Sequence, residues 1–371
     1  MKISEMKKIL IPFFILINIT LSAQTQSEME FFLKGAQVTG ITSDGTNLWF
    51  ATNGNGIFKY IPKSNAWMSY STSNGNLQHD FFYCIAATKD YVWAGSTDGL
   101  FILDVIRDTW TKRKFGLGGQ LANWIRALEF DKYANVLWIG RFKYLTKFDL
   151  RNKRYTDYDL TVRKNEKTNN IKTIKVDGDS LVWFGTEAGL HKYDKSKDLN
   201  DNSATTFYDT RYNYFDGEGE QVSITSLLFE RKNLWIGLDE FVTPERPDFN
   251  LGGLFRFNRR NDWQRFDARN GLPANGVFDL ERTGNYIWVS LYQFGSNTKD
   301  LFGRGIILID RMTNKIIPVR DERIPGTVYC IFFDGTNLWL GSDSGLIKIN
   351  FINKLAQWIG THGDSKSGAK K

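Results

Sequence analysis

A short apolar-Trp-x-small pattern recurs seven times along the chain. It reads LWFA at Leu48, VWAG at Val92, LWIG at Leu137, VWFG at Val182, LWIG at Leu234, IWVS at Ile287 and LWLG at Leu338. The tryptophans are Trp49, Trp93, Trp138, Trp183, Trp235, Trp288 and Trp339, spaced 44 to 53 residues apart. Two residues after each stands Ala51, Gly95, Gly140, Gly185, Gly237, Ser290 or Gly341. Residues two apart on a strand share a face, so each repeat sets a large ring beside a gap into which a neighbouring sheet can fit. A fixed period of this length is the mark of a repeat architecture.

The rest of the repeat reads as strands. Before each Trp lies a segment with an unbroken apolar column: Ile41, Ile85, Leu128, Ile174, Leu227, Leu280 and Ile331. Three residues earlier come Val38, Phe82, Ile125, Ile171, Ile224, Val277 and Val328. Connecting turns such as Asp44-Gly45-Thr46-Asn47 and Asp334-Gly335-Thr336-Asn337 carry hairpin chemistry. A third strand follows the Trp and is usually opened by glycine, as at Gly56, Gly99, Gly189, Gly253, Gly305 and Gly345, with Tyr144 in that place in repeat 3. Asp or Asn then starts a turn into a fourth strand containing Trp67, Trp110, Tyr155, Trp263 or Trp358. Four antiparallel strands per repeat, seven times, predict an all-β, seven-bladed β-propeller over residues 37–360. With a fourth strand in every repeat, the ring has no need of a strand from the N-terminus. Residues 24–36 form an N-terminal extension that could add an outer strand.

Aromatic residues make up 15% of the chain, which suits β-rich architecture. The formal charge of +7 falls to about +3 once residues 1–23 and the tail from Asp364 are set aside. So mild a charge argues against nucleic acid as a partner. Lys2, Lys7 and Lys8 precede an apolar run from Ile9 to Leu21 that ends in Ser22-Ala23, the three parts of a secretory signal peptide over residues 1–23. That run is short of the ~20 residues needed to cross a bilayer, and no later run reaches that length. The mature protein is therefore expected to be exported, to the periplasm or the exterior, with residues 361–371 as a flexible tail. Cys84 and Cys330 occupy the same small-residue column in blades 2 and 7, with blade 1 between them, and read as buried free thiols.

Asn270-Gly271-Leu272-Pro273, followed by Val277 and Ile287-Trp288, and the spacing from LWIG to the GL(F/H/I) strand resemble two-component regulator propeller repeats. The resemblance spans nearly the whole mature chain. It implies the exported sensor region of a hybrid histidine kinase that responds to glycan fragments. The chain departs from that pattern in having one ring, no transmembrane helix or kinase after it, and no room for the immunoglobulin-like module that usually follows. What carries over is a ligand- or partner-binding propeller outside the cytoplasm.

Recognition is expected on the face that carries the loops entering the innermost strands and those joining second to third strands. Repeats 5 and 6 are lengthened at the second of these, from Trp235 to Gly253 and from Trp288 to Gly305. Long loops on a repeat scaffold commonly carry function. A variable column just inside the mouth reads Thr39, Tyr83, Arg126, Lys172, Thr225, Phe278 and Tyr329. Tyr83, Phe278 and Tyr329 could stack a sugar, Arg126 and Lys172 could neutralise an acid, and Trp124, without a counterpart in other repeats, is the best single platform. The alternative is that these aromatics simply pack between blades. His79 and, from the long loops, Glu240, Arg246, Tyr292 and Arg304 complete the candidate ligand-binding set.

The expected ligand is a small carbohydrate, with a protein partner as the alternative. A propeller lyase or glycan-active enzyme is the third reading, with Glu218, Glu220, Asp239 and Glu240 as candidate acids. No catalytic residue is assigned, because those spacings specify no reaction. His191 falls in a column otherwise filled mostly by apolar residues, which favours packing, and His362 lies in the tail. No phosphate loop, nucleophile motif or Cys/His metal cluster stands out, so no cofactor or metal is expected.

Overall fold

Each repeat forms one antiparallel sheet, and the innermost strands of the seven sheets contact one another in a closed ring. The computed structural model describes residues 28–295 and 301–360; the expected signal peptide and tail lie outside them. The molecule is a seven-bladed β-propeller with four antiparallel strands per blade. Blade 3 shows the plan, with strands Ile125–Asp131, Val136–Arg141, Leu145–Asp149 and Arg154–Tyr158 paired in that order outward from the axis.

The Trp-and-gap column is the device that joins blades. All seven tryptophans are at most 1% exposed. A methyl group placed on Gly95 would lie 2.7 Å from Ile125 Cγ2, on Gly140 2.7 Å from Ile171 Cγ2, and on Gly185 2.6 Å from Ile224 Cγ2. The gap in one blade is thus filled by the first apolar residue of the next blade's inner strand. The same fit of Gly341 against Val38 closes the ring from blade 7 to blade 1. The turns before the tryptophans also engage them. The indole N–H of Trp49 donates to Asp44 at 2.8 Å and that of Trp339 to Asp334 at 2.7 Å. Burial works against the Asp44 carboxylate, but hydrogen bonds from Trp49, Asn47 and Thr46 hold its pKa below the usual range.

Ring closure departs from the expectation. Blade 7 takes strands Val328–Phe333, Asn337–Ser342 and Leu346–Asn350 from the C-terminal end, and its outermost strand is Met29–Phe32. Trp358 belongs to a helix, Phe351–Gly360, and packs edge-on against Trp288 at 5.8 Å. The physical reason lies at Asn350: its backbone N–H donates to Glu28 O at 3.0 Å, so the partner edge is already occupied when the chain leaves the third strand. The spacing Leu355, Trp358, Ile359 is helical, and this apolar side packs against the last blades. Lys354, 2.8 Å from Glu28, clasps the helix to the N-terminal strand.

Both cysteines are free thiols, with Cys330 buried and Cys84 partly so. Tyr144 takes the place of a strand-opening glycine and adopts the same left-handed backbone, φ 74°, beside 77° at Gly56 and 72° at Gly305. Its ring lies near the fully buried guanidinium of Arg141, which pairs with Asp157 at 2.9 Å. Blade 3 therefore tolerates a conformation that glycine adopts more cheaply.

Candidate functional site

The variable column at the mouth has a backbone cause. In six blades the innermost strand carries a register shift at this position: Val38 faces Thr52 and Gly40 faces Ala51, leaving Thr39 without a partner. The same irregularity leaves out Arg126, Lys172, Thr225, Phe278 and Tyr329. A β-bulge frees one residue from the ladder and re-aims its side chain. In blade 2 the regular strand starts later, at Cys84, and Tyr83 N–H bonds Gly95 O at 2.9 Å.

A second ring of residues meets the first. Four positions after each Trp stand Asn53, Thr97, Phe142, Glu187, Asp239, Tyr292 and Asp343. Their backbone N–H groups tie them to the chain entering the inner strands: Asn53 to Gln37 O, Phe142 to Trp124 O, Glu187 to Asn170 O and Asp239 to Ser223 O, at 2.8–3.1 Å. Side chains of the two rings then pair around the mouth.

On the side of blades 2 to 4, Trp124 stacks on Phe142 at 5.2 Å and 9°, with Tyr83 tilted against it at 6.0 Å. The Arg126 guanidinium sits over both rings of that stack, 5.4 Å from Trp124 and 5.7 Å from Phe142. It donates to Asn170 Oδ1 at 2.8 Å and lies 3.8 Å from Glu187, whose carboxylate also accepts from Asn170. Burial lowers the basicity of Arg126, while the charges of Glu187 and Asp239 counter that effect.

The next sector centres on Asp239, which takes hydrogen bonds from Lys172, from Ser223 at 2.7 Å and from the Tyr292 hydroxyl at 2.7 Å. Burial alone would raise its pKa, but Lys172 and these donors hold the carboxylate below its usual range. Burial drives the Tyr292 hydroxyl well above its usual range, as does the adjacent Asp239. Tyr292 is 2% exposed, so it supports Asp239 from behind. It also packs on Phe278 at 4.4 Å, and Phe278 meets Tyr329 edge-on at 5.3 Å. The mouth therefore holds two aromatic walls, around Trp124 and around Phe278, with two charged pairs between them.

The remaining predicted residues lie elsewhere. His79 stacks on Phe101 at 6.1 Å and meets Phe82 edge-on, away from the mouth clusters, and burial lowers its pKa. Glu240 opens a two-stranded hairpin inserted in blade 5, Glu240–Thr243 with Arg246–Leu251. It accepts from Phe294 N–H at 2.8 Å and Asn275 at 3.2 Å, and burial raises its pKa. Blade 6 is lengthened by extension of two strands, Tyr286–Phe294 and Leu301–Asp310. Phe241 and Phe294, 4.6 Å apart, pack one insertion on the other. Arg246 lies over Phe249 at 3.6 Å and pairs with Glu220. Arg304 bonds Gln293 and lines, with Phe302 and Pro244, an open groove of about 560 Å³ between the insertions.

Sequence reasoning missed Phe142, Asn170, Glu187 and Ser223 as members of the site, and read Asp239 only as a candidate acid. For Phe142, Glu187 and Asp239 the signal was the column four residues after each Trp, which varies as freely as the first ring; Asn170 and Ser223 stand where Trp124 does, one residue before the inner strand. Among the acids proposed for catalysis, Glu218 is held by Arg265 and Arg269, and Asp239 by Lys172. His191 is buried, with Nε2 2.9 Å from Thr168 O, and serves packing.

No family model matches the chain, and no curated protein matches it in sequence. Solved structures share its architecture. Two structures of the extracellular domain of BT4673 from B. thetaiotaomicron, described as a putative one-component or hybrid two-component system, superpose over 87% of this chain with TM-scores of 0.64 and 0.63 at 20% and 19% identity. The chain spans only 40% and 39% of those structures. Virginiamycin B lyase from Staphylococcus aureus matches over 87% of this chain and 98% of its own, with a TM-score of 0.63 at 12% identity. At these identities the likeness is one of fold.

Proposed function

We propose that this protein is an exported sensing propeller that binds a glycan fragment at the mouth of its channel. The observation that carries this reading is the repeated bulge, which aims a freely varying ring of side chains inward from a scaffold whose other columns are held apolar or small. Two aromatic walls facing across hydrogen-bonding groups are the chemistry by which proteins hold pyranose rings: C–H faces pack on indole or phenyl, and hydroxyls meet polar side chains. The likeness to extracellular domains of a two-component sensor supports a sensing role, and among the described residues no helix is long and apolar enough to cross a membrane. Tyr83, Trp124, Phe278 and Tyr329 would contact the ligand, with the paired Arg126 and Lys172 beside it and Tyr292 positioning Asp239.

The test is a thermal-shift and calorimetric screen of residues 24–371 against oligosaccharides, with Trp124→Ala in parallel. A ligand at 100 times its dissociation constant adds about 2.7 kcal/mol of stability. A stabilisation in the wild type that the variant loses supports the reading, and a flat panel on folded protein defeats it.

A docking platform for a protein partner is the second reading, favoured by one observation. Phe81, Leu117, Leu121, Tyr212 and Phe302, each about half exposed or more, all belong to the loops and extended hairpin of the same face. Pull-downs with Leu117→Asp and Phe302→Asp variants separate this from saccharide binding.

A further inference from the structure

The two charged pairs at the mouth are unequal in the same sense. Lys172 is 12% exposed and its partner Asp239 28%. Arg126 is 22% exposed and its partner Glu187 31%. In each pair the carboxylate side chain is the more exposed by fraction, and the cation is already engaged. Lys172 is engaged by Asp239 and Ser223, and Arg126 by Asn170, Glu187 and the face of Trp124. On Glu187, one oxygen takes Asn170, while the other has Lys167 no nearer than 3.9 Å, beyond hydrogen-bond length. Acceptor capacity therefore remains on that second oxygen.

A ligand between the aromatic walls thus meets carboxylate oxygens at least as exposed, by fraction of the side chain, as the cations they pair with. Hydroxyl groups satisfy them by donating charge-assisted hydrogen bonds. A ligand carboxylate would face like charge. To reach Lys172 or Arg126 it would have to draw them from Asp239 or Glu187 and leave a half-buried anion unpaired.

Resting on the saccharide reading above, we propose that the mouth selects neutral, hydroxyl-rich saccharides and rejects uronic acids, with Glu187 and Asp239 as the residues that set this specificity. The idea that Arg126 and Lys172 serve to neutralise an acidic ligand gives way to this one, because both cations are already partnered.

The experiment titrates the protein with stereochemically matched probes, galacto-oligosaccharides against oligogalacturonates and gluco-oligosaccharides against their glucuronate counterparts. A chitosan oligosaccharide series is added as the cationic control. The expected result is at least tenfold tighter binding of a neutral member than of its uronate. In Asp239→Asn, which releases Lys172, and in Glu187→Gln, which releases Arg126, that ratio should shrink by about tenfold. The uronate binding so gained should weaken with added salt. Two variants are used so that a folding defect in one leaves the other informative, with near-ultraviolet circular dichroism as the check. Uronate binding as tight as neutral binding in the wild type overturns the inference while leaving the saccharide reading intact. So does a ratio unchanged in both variants, or a preference for the chitosan series. Absence of binding by every member defeats the saccharide reading, and this inference with it.

Discussion

The blade interlock can be tested at Gly140. A methyl group there would lie 2.7 Å from Ile171 Cγ2 and 3.0 Å from both Ile171 Cβ and Ala127 Cβ. Gly140 sits in ordinary strand backbone paired to Ala127. Alanine therefore adds no backbone strain, and its effect on the unfolded chain would favour folding by about 0.4–1 kcal/mol. The three contacts fall well inside the ~3.5–4.0 Å optimum for carbon pairs. Ile171 is fully buried on the inner strand of the next blade, so relief requires one sheet to move against another. Overpacking of this kind costs about 1–3 kcal/mol, and Gly140→Ala should destabilise by about 1–2 kcal/mol net. Ile171→Ala alone opens a cavity and costs about 2–5 kcal/mol. In the double variant the new methyl occupies space that Ile171 Cγ2 vacates, so the 2.7 Å contact disappears and part of the cavity is filled, while the two 3.0 Å contacts to Cβ atoms remain. The double variant should be more stable than the sum of the two single effects predicts, a coupling of about 1 kcal/mol. Urea unfolding followed by tryptophan fluorescence measures this directly. Thermal midpoints are less sensitive, at roughly 1–2 °C per kcal/mol for a domain of this size. Additive effects within about 0.5 kcal/mol, or a Gly140→Ala variant as stable as wild type, would refute the account of how blades join.

Three further outcomes concern single side chains. His191 is held neutral, its pKa pushed down to about 4 by burial, so the folded state refuses a proton that the unfolded chain accepts below about pH 6.5. Its contribution is lost as pH falls from about 6.5 toward 4. His191→Phe, the residue type of this column at Phe58, Phe101 and Phe255, should remove about 2–3 kcal/mol of the acid-side loss measured by urea unfolding at pH 7 and 4.5; an unchanged loss would show that other groups carry it. Glu281, on the inner strand of blade 6, is pushed up to about 7 by burial despite hydrogen bonds from Arg282 N–H and Phe333 N–H and the charge of Lys175. The folded state keeps its proton while the unfolded chain loses it between about pH 4.5 and 7, so stability falls as pH rises through that window. Glu281→Gln should equal wild type at pH 4.5 and exceed it by up to about 3 kcal/mol at pH 8, and equal stabilities at both values would count against this assignment. Phe32, on the strand that completes blade 7, packs on Trp67 at 5.1 Å and Trp339 at 6.1 Å. Phe32→Ala should cost about 2–4 kcal/mol in the same assay, and an unshifted urea midpoint would show that the ring stands without this closure.

Legibility in the sequence followed physical uniformity. The interlock demands the same kind of solution at every blade boundary, a buried ring beside a missing or small side chain, so seven copies of one pattern expose it. Ring closure happens once, and a single event leaves no column to align. Trp358 stands eight residues after Asn350, where Trp110, Tyr155 and Trp263 follow Asp104, Asp149 and Asn258 by five or six, and so loose a match in one blade does not tell a strand that pairs from a helix that caps. The distinguishing signals were local: the helical spacing Leu355, Trp358, Ile359, and the short run Met29–Phe32 placed where it can reach the open edge.

The mouth lies between these cases. Its first ring was readable because a bulge residue escapes the ladder, so its type is free to vary while its neighbours stay apolar or small. The partners of Arg126 and Lys172 were not readable, because each is supplied by the following blade and pairing across blades leaves no fixed separation in sequence. Yet those partners decide the chemistry. Read alone, an arginine and a lysine beside aromatics point to an anionic ligand. Paired with Glu187 and Asp239, the same two cations are already neutralised, and in the proposed site the carboxylates would accept from hydroxyl groups. The meaning of a charge in a sequence thus depends on what neutralises it in the fold.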